Sequence, residues 1–162
     1  MDAAEEALVH CQITSLLSLY YQALDVIDLD TLESEVMAKD ATWEVIQRAN
    51  CGRLRDGASG RDEVMAWFRQ MFSGDVTMSE GTVRHFLNTH VIRVAADGAT
   101  AQSTSHLQAV DTVTMATLAV GFVEAEHVRT DLGWRIRHYK VEESITDKDM
   151  EAYRETFGLE YE

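Results

Sequence analysis

After Gly81 the chain reads as four consecutive strands cut apart by short turn signals, and no other feature of the sequence narrows the fold as much. Val83 to Val94 is the first strand and Ala99 to Val110 the second. Val113 to Val128, rich in Val, Thr, Ala and Phe, is the third, and Trp134 to Val141 the last. Asp97 and Gly98 form a strong hairpin signal, and Thr130 to Gly133 reads as a second turn. Alternation along the last strand sets Trp134, Ile136 and His138 on one face. Strands that follow one another, with helices segregated elsewhere, argue an α+β domain built on an antiparallel sheet.

The helices come first. From Glu5 to Ile27 the apolar residues Val9, Ile13, Leu16, Leu17, Tyr20, Leu24 and Ile27 recur at helical spacing. Asp28 to Asp30 interrupts them, and Asp30 with Glu33 reads as an N-cap and its reciprocal acid, opening a short helix from Thr31 to about Lys39. Ala41 to Ile46 alternates as a strand. Cys51 to Gly60, with Gly52 and Gly57 between, reads as a loop. Arg61 to Phe72 returns to helical spacing, with Gly74 as its stop. The acidic tail from Thr146 to Phe157 is predicted helical.

Length and composition bound the rest. The 162 residues fit a single domain, its core spanning about 8–145 and its acidic tail 146–162. At 46% hydrophobic residues the chain can build a sizeable core, burying roughly 70% of the surface its unfolded form exposes. A net charge of −14 makes nucleic acid and anionic membrane poor partners, because both need concentrated Lys and Arg. No apolar run approaches a membrane span, and the N-terminal residues lack a signal-like apolar stretch, so a cytoplasmic location is expected. Cys11 and Cys51 sit in no CxxC or Cys/His cluster, and no His/carboxylate spacing demands a metal.

Three segments carry a resemblance. One is Tyr20, Tyr21, Gln22, Ala23, Leu24 and Asp25, followed by Asp28 to Asp30 and by Asp40 to Trp43. Another is Arg84, His85, Phe86, Leu87 and Asn88, and the last runs from Val128 to Ile136. Through them the chain resembles the nuclear-transport-factor-2-like superfamily, and within it the SnoaL-like branch of polyketide cyclases, scytalone dehydratase and hexachlorocyclohexane dehydrochlorinase. The resemblance implies a cone-shaped fold, a curved antiparallel sheet wrapped around the N-terminal helices with an internal pocket. It says little about activity, since one such fold hosts lyases, isomerases, cyclases, oxygenase small subunits and plain binding proteins.

Asp25 and His85 match, residue by residue, the Asp and His of the dehydratase and dehydrochlorinase pattern, in which the Asp orients a His that moves a proton. The physics suits such a pair. Neutral imidazole is a base poised near neutral pH, and a carboxylate on its other nitrogen sets the tautomer and stabilises the imidazolium. Without the resemblance, Asp25 reads as a solvated acid at a helix end and His85 as a hydrogen-bonded residue at a strand start. Tyr20, on the apolar stripe, and Tyr21, four residues before Asp25, are candidate donors to a developing oxyanion.

Asn88 lies three residues after His85 and so on the opposite strand face unless a bulge intervenes. Trp43, Trp67, Phe68, Phe72, Phe86, Phe122, Met65 and Met71 supply apolar surface for a core or a pocket wall. From these, Tyr21, Trp43, Trp67, Phe68, Asn88, Phe122 and His138 are the expected substrate-binding residues. His90 and His106 nominate nothing on their own. Arg129 reads as a surface residue, and Asp111 stands near where the two-histidine dehydratase pattern has its second His, which puts that type in doubt.

The resulting expectation is a cofactor-independent acid–base enzyme, a lyase, isomerase or cyclase. It would act on a hydrophobic small molecule, a polyketide or terpenoid intermediate by family habit. The alternatives are a non-catalytic ligand-binding protein of the same fold, or the small subunit of a ring-hydroxylating oxygenase. Family habit also implies a homodimer or homotrimer.

Overall fold

The computed structural model describes residues 2–74 and 81–162. Helix α1 (Ala3–Asp25) opens on a capping box, the Asp2 side chain accepting from Ala4 and Glu5 while Glu5 accepts from the Asp2 amide. Its apolar stripe, Ile13, Leu17 and Tyr20 among it, is buried against the sheet. One turn of α-helix, α2 (Leu29–Thr31), capped by Asp28, runs into a π-helical turn (Leu32–Val36). The second helix therefore stops before Lys39, and strand β1 (Met37–Ala49) begins where helix was expected.

The order continues with β2 (Gly52–Ser59), α3 (Arg61–Ser73), β3 (Val83–Val94), β4 (Thr100–Asp111), β5 (Thr117–Thr130), β6 (Gly133–Ile145) and α4 (Asp147–Phe157). The six strands form one sheet in the order β2-β1-β6-β5-β4-β3. Neighbours are antiparallel except β1 and β6, which run parallel because α3 and the β3–β5 meander intervene between them. The curved sheet wraps the helices as the α+β reading implied, with this one parallel pair making it mixed.

Two further segments differ from the expectation. β2 occupies the stretch read as a loop. Its glycines are there for room: a Cβ on Gly57 would come within 2.6 Å of the Trp43 carbonyl oxygen on the paired strand. Inward Leu54, 1% exposed, supplies its single strong apolar anchor. At the other end, β5 begins at Thr117 and not Val113, because Asp111 accepts from the Val113 and Thr114 amides and from the Thr114 hydroxyl, closing a turn. Asp111 is thus a turn cap.

Two bulges decide which side chains point inward. In β3, Thr89 and His90 face the single residue Ser105, with Thr89 at φ +54°. In β6, Arg137 is the extra residue between the pairs Ile136–His127 and His138–Glu126. Each bulge shifts the inward parity by one residue along the rest of its strand.

Candidate active site

The helices and the concave sheet face enclose a cavity walled by Tyr20, Tyr21, Trp43, Trp67, Phe68, Met71, His85, Tyr139 and other mainly apolar side chains. The centre of a water molecule can range through about 110 Å³ of it, several times the roughly 10–15 Å³ that one buried water needs. Trp43 and Trp67 pack with ring centroids 3.9 Å apart, and Trp67 is held by a 2.7 Å hydrogen bond from its indole N–H to Asp56.

Asp25 and His85 meet on this wall. Asp25 ends α1, where a carboxylate gains nothing from the helix dipole. Its side chain instead turns to β3, where Oδ1 lies 2.6 Å from His85 Nδ1 and Oδ2 accepts from the His85 backbone N–H at 3.2 Å. Arg84 Nη1 donates to the Asp25 carbonyl at 3.2 Å, tying the exposed end of the helix to the strand. The two side chains are only 7% and 10% exposed. A carboxylate can only accept, so Nδ1–H is the donor of this pair. His85 lines the cavity and Asp25 does not.

Three tyrosines share the cavity wall with the imidazole. The Tyr21 ring lies 4.9 Å from that of His85, and its hydroxyl is hydrogen-bonded to that of Tyr139. Tyr20 Oη accepts from Trp43 Nε1 at 3.3 Å. No acceptor for the Tyr20 hydroxyl hydrogen lies in range among the described residues, so it can donate into the cavity. Burial pushes all three hydroxyls well above the ordinary phenol value, keeping them protonated donors.

Of the expected binding residues, Tyr21, Trp43, Trp67 and Phe68 line the cavity, while Asn88, Phe122 and His138 do not. The β3 bulge follows Asn88 and so cannot bring it onto the face of His85, and Asn88 faces solvent. Phe122 holds an even position on β5, whose odd residues point inward, and is 40% exposed, its ring 5.7 Å from that of His106. His138 is turned away by the β6 bulge and shares a 2.6 Å hydrogen bond with Thr42, and Tyr139 takes the inward place. Phe86 lies on the outer face and Arg129 is exposed, whereas Met65 is core. His90 pairs with Ser105 at 2.7 Å.

The sequence reading missed Gln47, Tyr139, Glu143 and Tyr153, all on the cavity wall. The signal for Glu143 was present: Tyr139, Val141, Glu143 and Ile145 form one period-two face, but only once the bulge at Arg137 resets the count. Glu143 is held at 2.9 Å by the Gln47 side-chain amide on the adjacent strand. Burial, reinforced by Asp149, raises its carboxyl above the usual carboxylate range, against the lowering effects of Gln47 and His85. No cluster of three His, Cys, Asp or Glu side chains suited to a metal ion occurs among the described residues, and no described helix is long and apolar enough to cross a membrane.

The model of the SnoaL-like domain matches residues 5–140. The chain belongs to the SnoaL-like family. A search of curated proteins returned no match. Among solved structures, this SnoaL-like chain is similar to a proposed scytalone dehydratase from Novosphingobium aromaticivorans, with 17% identity, 89% of each chain covered and a TM-score of 0.68. It is also similar to an NTF2-like protein of cystatin-like fold from the same organism, with 23% identity, 93% and 92% covered and a TM-score of 0.64. A proposed NTF2-like dehydratase from Streptomyces avermitilis matches at 18% identity, 81% and 92% covered, with a TM-score of 0.60. At these identities the likeness establishes the fold alone.

Proposed function

We propose that this SnoaL-like protein is a cofactor-independent acid–base enzyme that moves a proton on a hydrophobic small molecule, as a lyase, isomerase or cyclase. One observation carries the reading: a buried carboxylate 2.6 Å from Nδ1 of an imidazole that lines a mainly apolar cavity. His85 Nε2 takes a proton from a carbon next to a carbonyl group. The electron pair moves onto the carbonyl oxygen, where the Tyr20 hydroxyl donates. Asp25 stabilises the imidazolium through Nδ1–H. The proton on Nε2 then goes to a departing hydroxyl, releasing water, or to another carbon. General acid–base action of this kind contributes roughly 10²–10⁴ in rate. The dehydratase assignments of two structural neighbours fit the elimination branch of this scheme. A polyketide or terpenoid intermediate remains the substrate class that the family resemblance suggests.

Elimination, isomerisation and cyclisation share the first step, so the test targets it. Deuterium uptake from D₂O next to the carbonyl of 2-tetralone, followed by proton NMR, reads proton removal alone. Wild-type protein is expected to accelerate exchange, and His85→Ala to lose about 10²-fold or more of the acceleration with its circular dichroism unchanged. Equal exchange in both proteins refutes the scheme and favours a cavity that only binds.

A further inference from the structure

We infer that the cavity has a second polar pole, formed by Gln47, Glu143 and Tyr153, which receives a hydroxyl group of the ligand. The inference deepens the reading of the cavity as a substrate site and rests on it.

Two buried polar atoms there are left without partners among the described residues, Gln47 Oε1 and Tyr153 Oη. Their residues are only 6% and 4% exposed, and both line the cavity. A buried polar atom without a hydrogen bond costs about 1–3 kcal/mol, so two such atoms on the wall of one cavity favour an occupant that pairs with them. Gln47 Oε1 can only accept and Tyr153 Oη–H can donate. A hydroxyl is the smallest group that satisfies both, giving its hydrogen to Gln47 and accepting from Tyr153.

Glu143 holds Gln47 in register. Its Oε1 accepts from Gln47 Nε2 at 2.9 Å, which turns the glutamine oxygen away from that contact. Room for Glu143 is made across the sheet by Gly121, where a Cβ would lie 2.9 Å from the Glu143 Cβ and 2.8 Å from the Glu142 carbonyl oxygen. A strand position that would otherwise carry an inward side chain is thereby given up to this group. Burial raises this carboxyl above the usual carboxylate range.

The pole stands apart from the dyad. Gln47 and Glu143 sit on β1 and β6, and His85 on β3, with β5 and β4 between. Three strand spacings from β6 to β3 amount to roughly 14 Å along a flat sheet, but the curl brings the two within electrostatic reach, since His85 acts on the Glu143 carboxyl. A ligand that reaches both is therefore an apolar ring system with a hydroxyl distinct from the group that His85 handles.

The experiment compares 2-naphthol with 2-methylnaphthalene, nearly equal in shape, by equilibrium dialysis. Wild-type protein is expected to favour the naphthol by about tenfold. The preference is expected to fall to about threefold in Tyr153→Phe and to vanish in Tyr153→Phe with Gln47→Met, while His85→Ala keeps it. Unchanged binding of 2-methylnaphthalene shows that a variant retains the cavity. Should the double variant lose it, Tyr153→Phe decides alone. No preference in the wild type, or one that survives Tyr153→Phe and disappears in His85→Ala, overturns the inference. Failure of the deuterium-exchange test leaves this preference untouched, so the two claims stand or fall separately.

Discussion

Replacing Asp25 with Asn tests the dyad at one atom. The carboxylate accepts twice, from His85 Nδ1–H at 2.6 Å and from the His85 amide at 3.2 Å. Asparagine has one acceptor oxygen and must turn its NH₂ toward one of these two donors. The backbone N–H cannot become an acceptor, whereas the imidazole can, by moving its proton from Nδ1 to Nε2. The amide oxygen therefore faces the backbone, the NH₂ faces Nδ1, and the tautomer reverses. Every polar group stays paired, so stability should change by less than about 1 kcal/mol. The cavity nitrogen, however, is now protonated and the imidazolium has lost its counter-charge. The expected cost is roughly 10²–10⁴ in exchange rate, about 3–5 kcal/mol of barrier. Long-range proton–nitrogen correlation spectra of ¹⁵N-labelled protein read the tautomer directly. A variant that keeps the proton on Nδ1 and exchanges at the wild-type rate refutes the reasoning.

Two other outcomes follow from the structure. His127 is buried, with Nε2 2.8 Å from Ser103 Oγ and Nδ1 unpartnered, and burial lowers its pKa from 6.5 to about 4. Between these values the unfolded chain binds a proton that the native one refuses, so stability falls as pH drops through this window, by about 2 kcal/mol from pH 6.5 to 5; urea unfolding of His127→Gln should lack that part of the wild-type decline, and parallel pH profiles would exclude it. Gly57→Ala would force the β1–β2 hairpin away from the 2.6 Å approach to the Trp43 carbonyl, costing about 1–3 kcal/mol, and an unchanged melting temperature would show that β2 is not held so closely.

Much of the fold was legible because it depends on periodicity. The α1 stripe from Val9 to Leu24 and the meander after Gly81 follow from spacing alone. What was hidden depends on single-residue events. β2 was masked by Gly57, a residue that signals a turn in sequence but serves a close strand approach in space. The bulges at Thr89 and Arg137 leave no local signature, yet each reverses which residues face inward, and so His138 was nominated in place of Tyr139 and Glu143 was overlooked. Asp25 and His85, 60 residues apart, were paired through the resemblance, since neither helix spacing nor strand alternation links them.

The cavity draws on two stretches of chain. The dyad lies within the span matched by the family model, residues 5–140, while Glu143 and Tyr153 come after it. Helix α4 folds back as a wall, and a change confined to the last twenty or so residues can redraw the outline of the cavity without touching the Asp25–His85 contact. If the proposed roles hold, selectivity and chemistry are carried by separable parts, and grafting a different C-terminal segment onto the same body is a direct route to new guests.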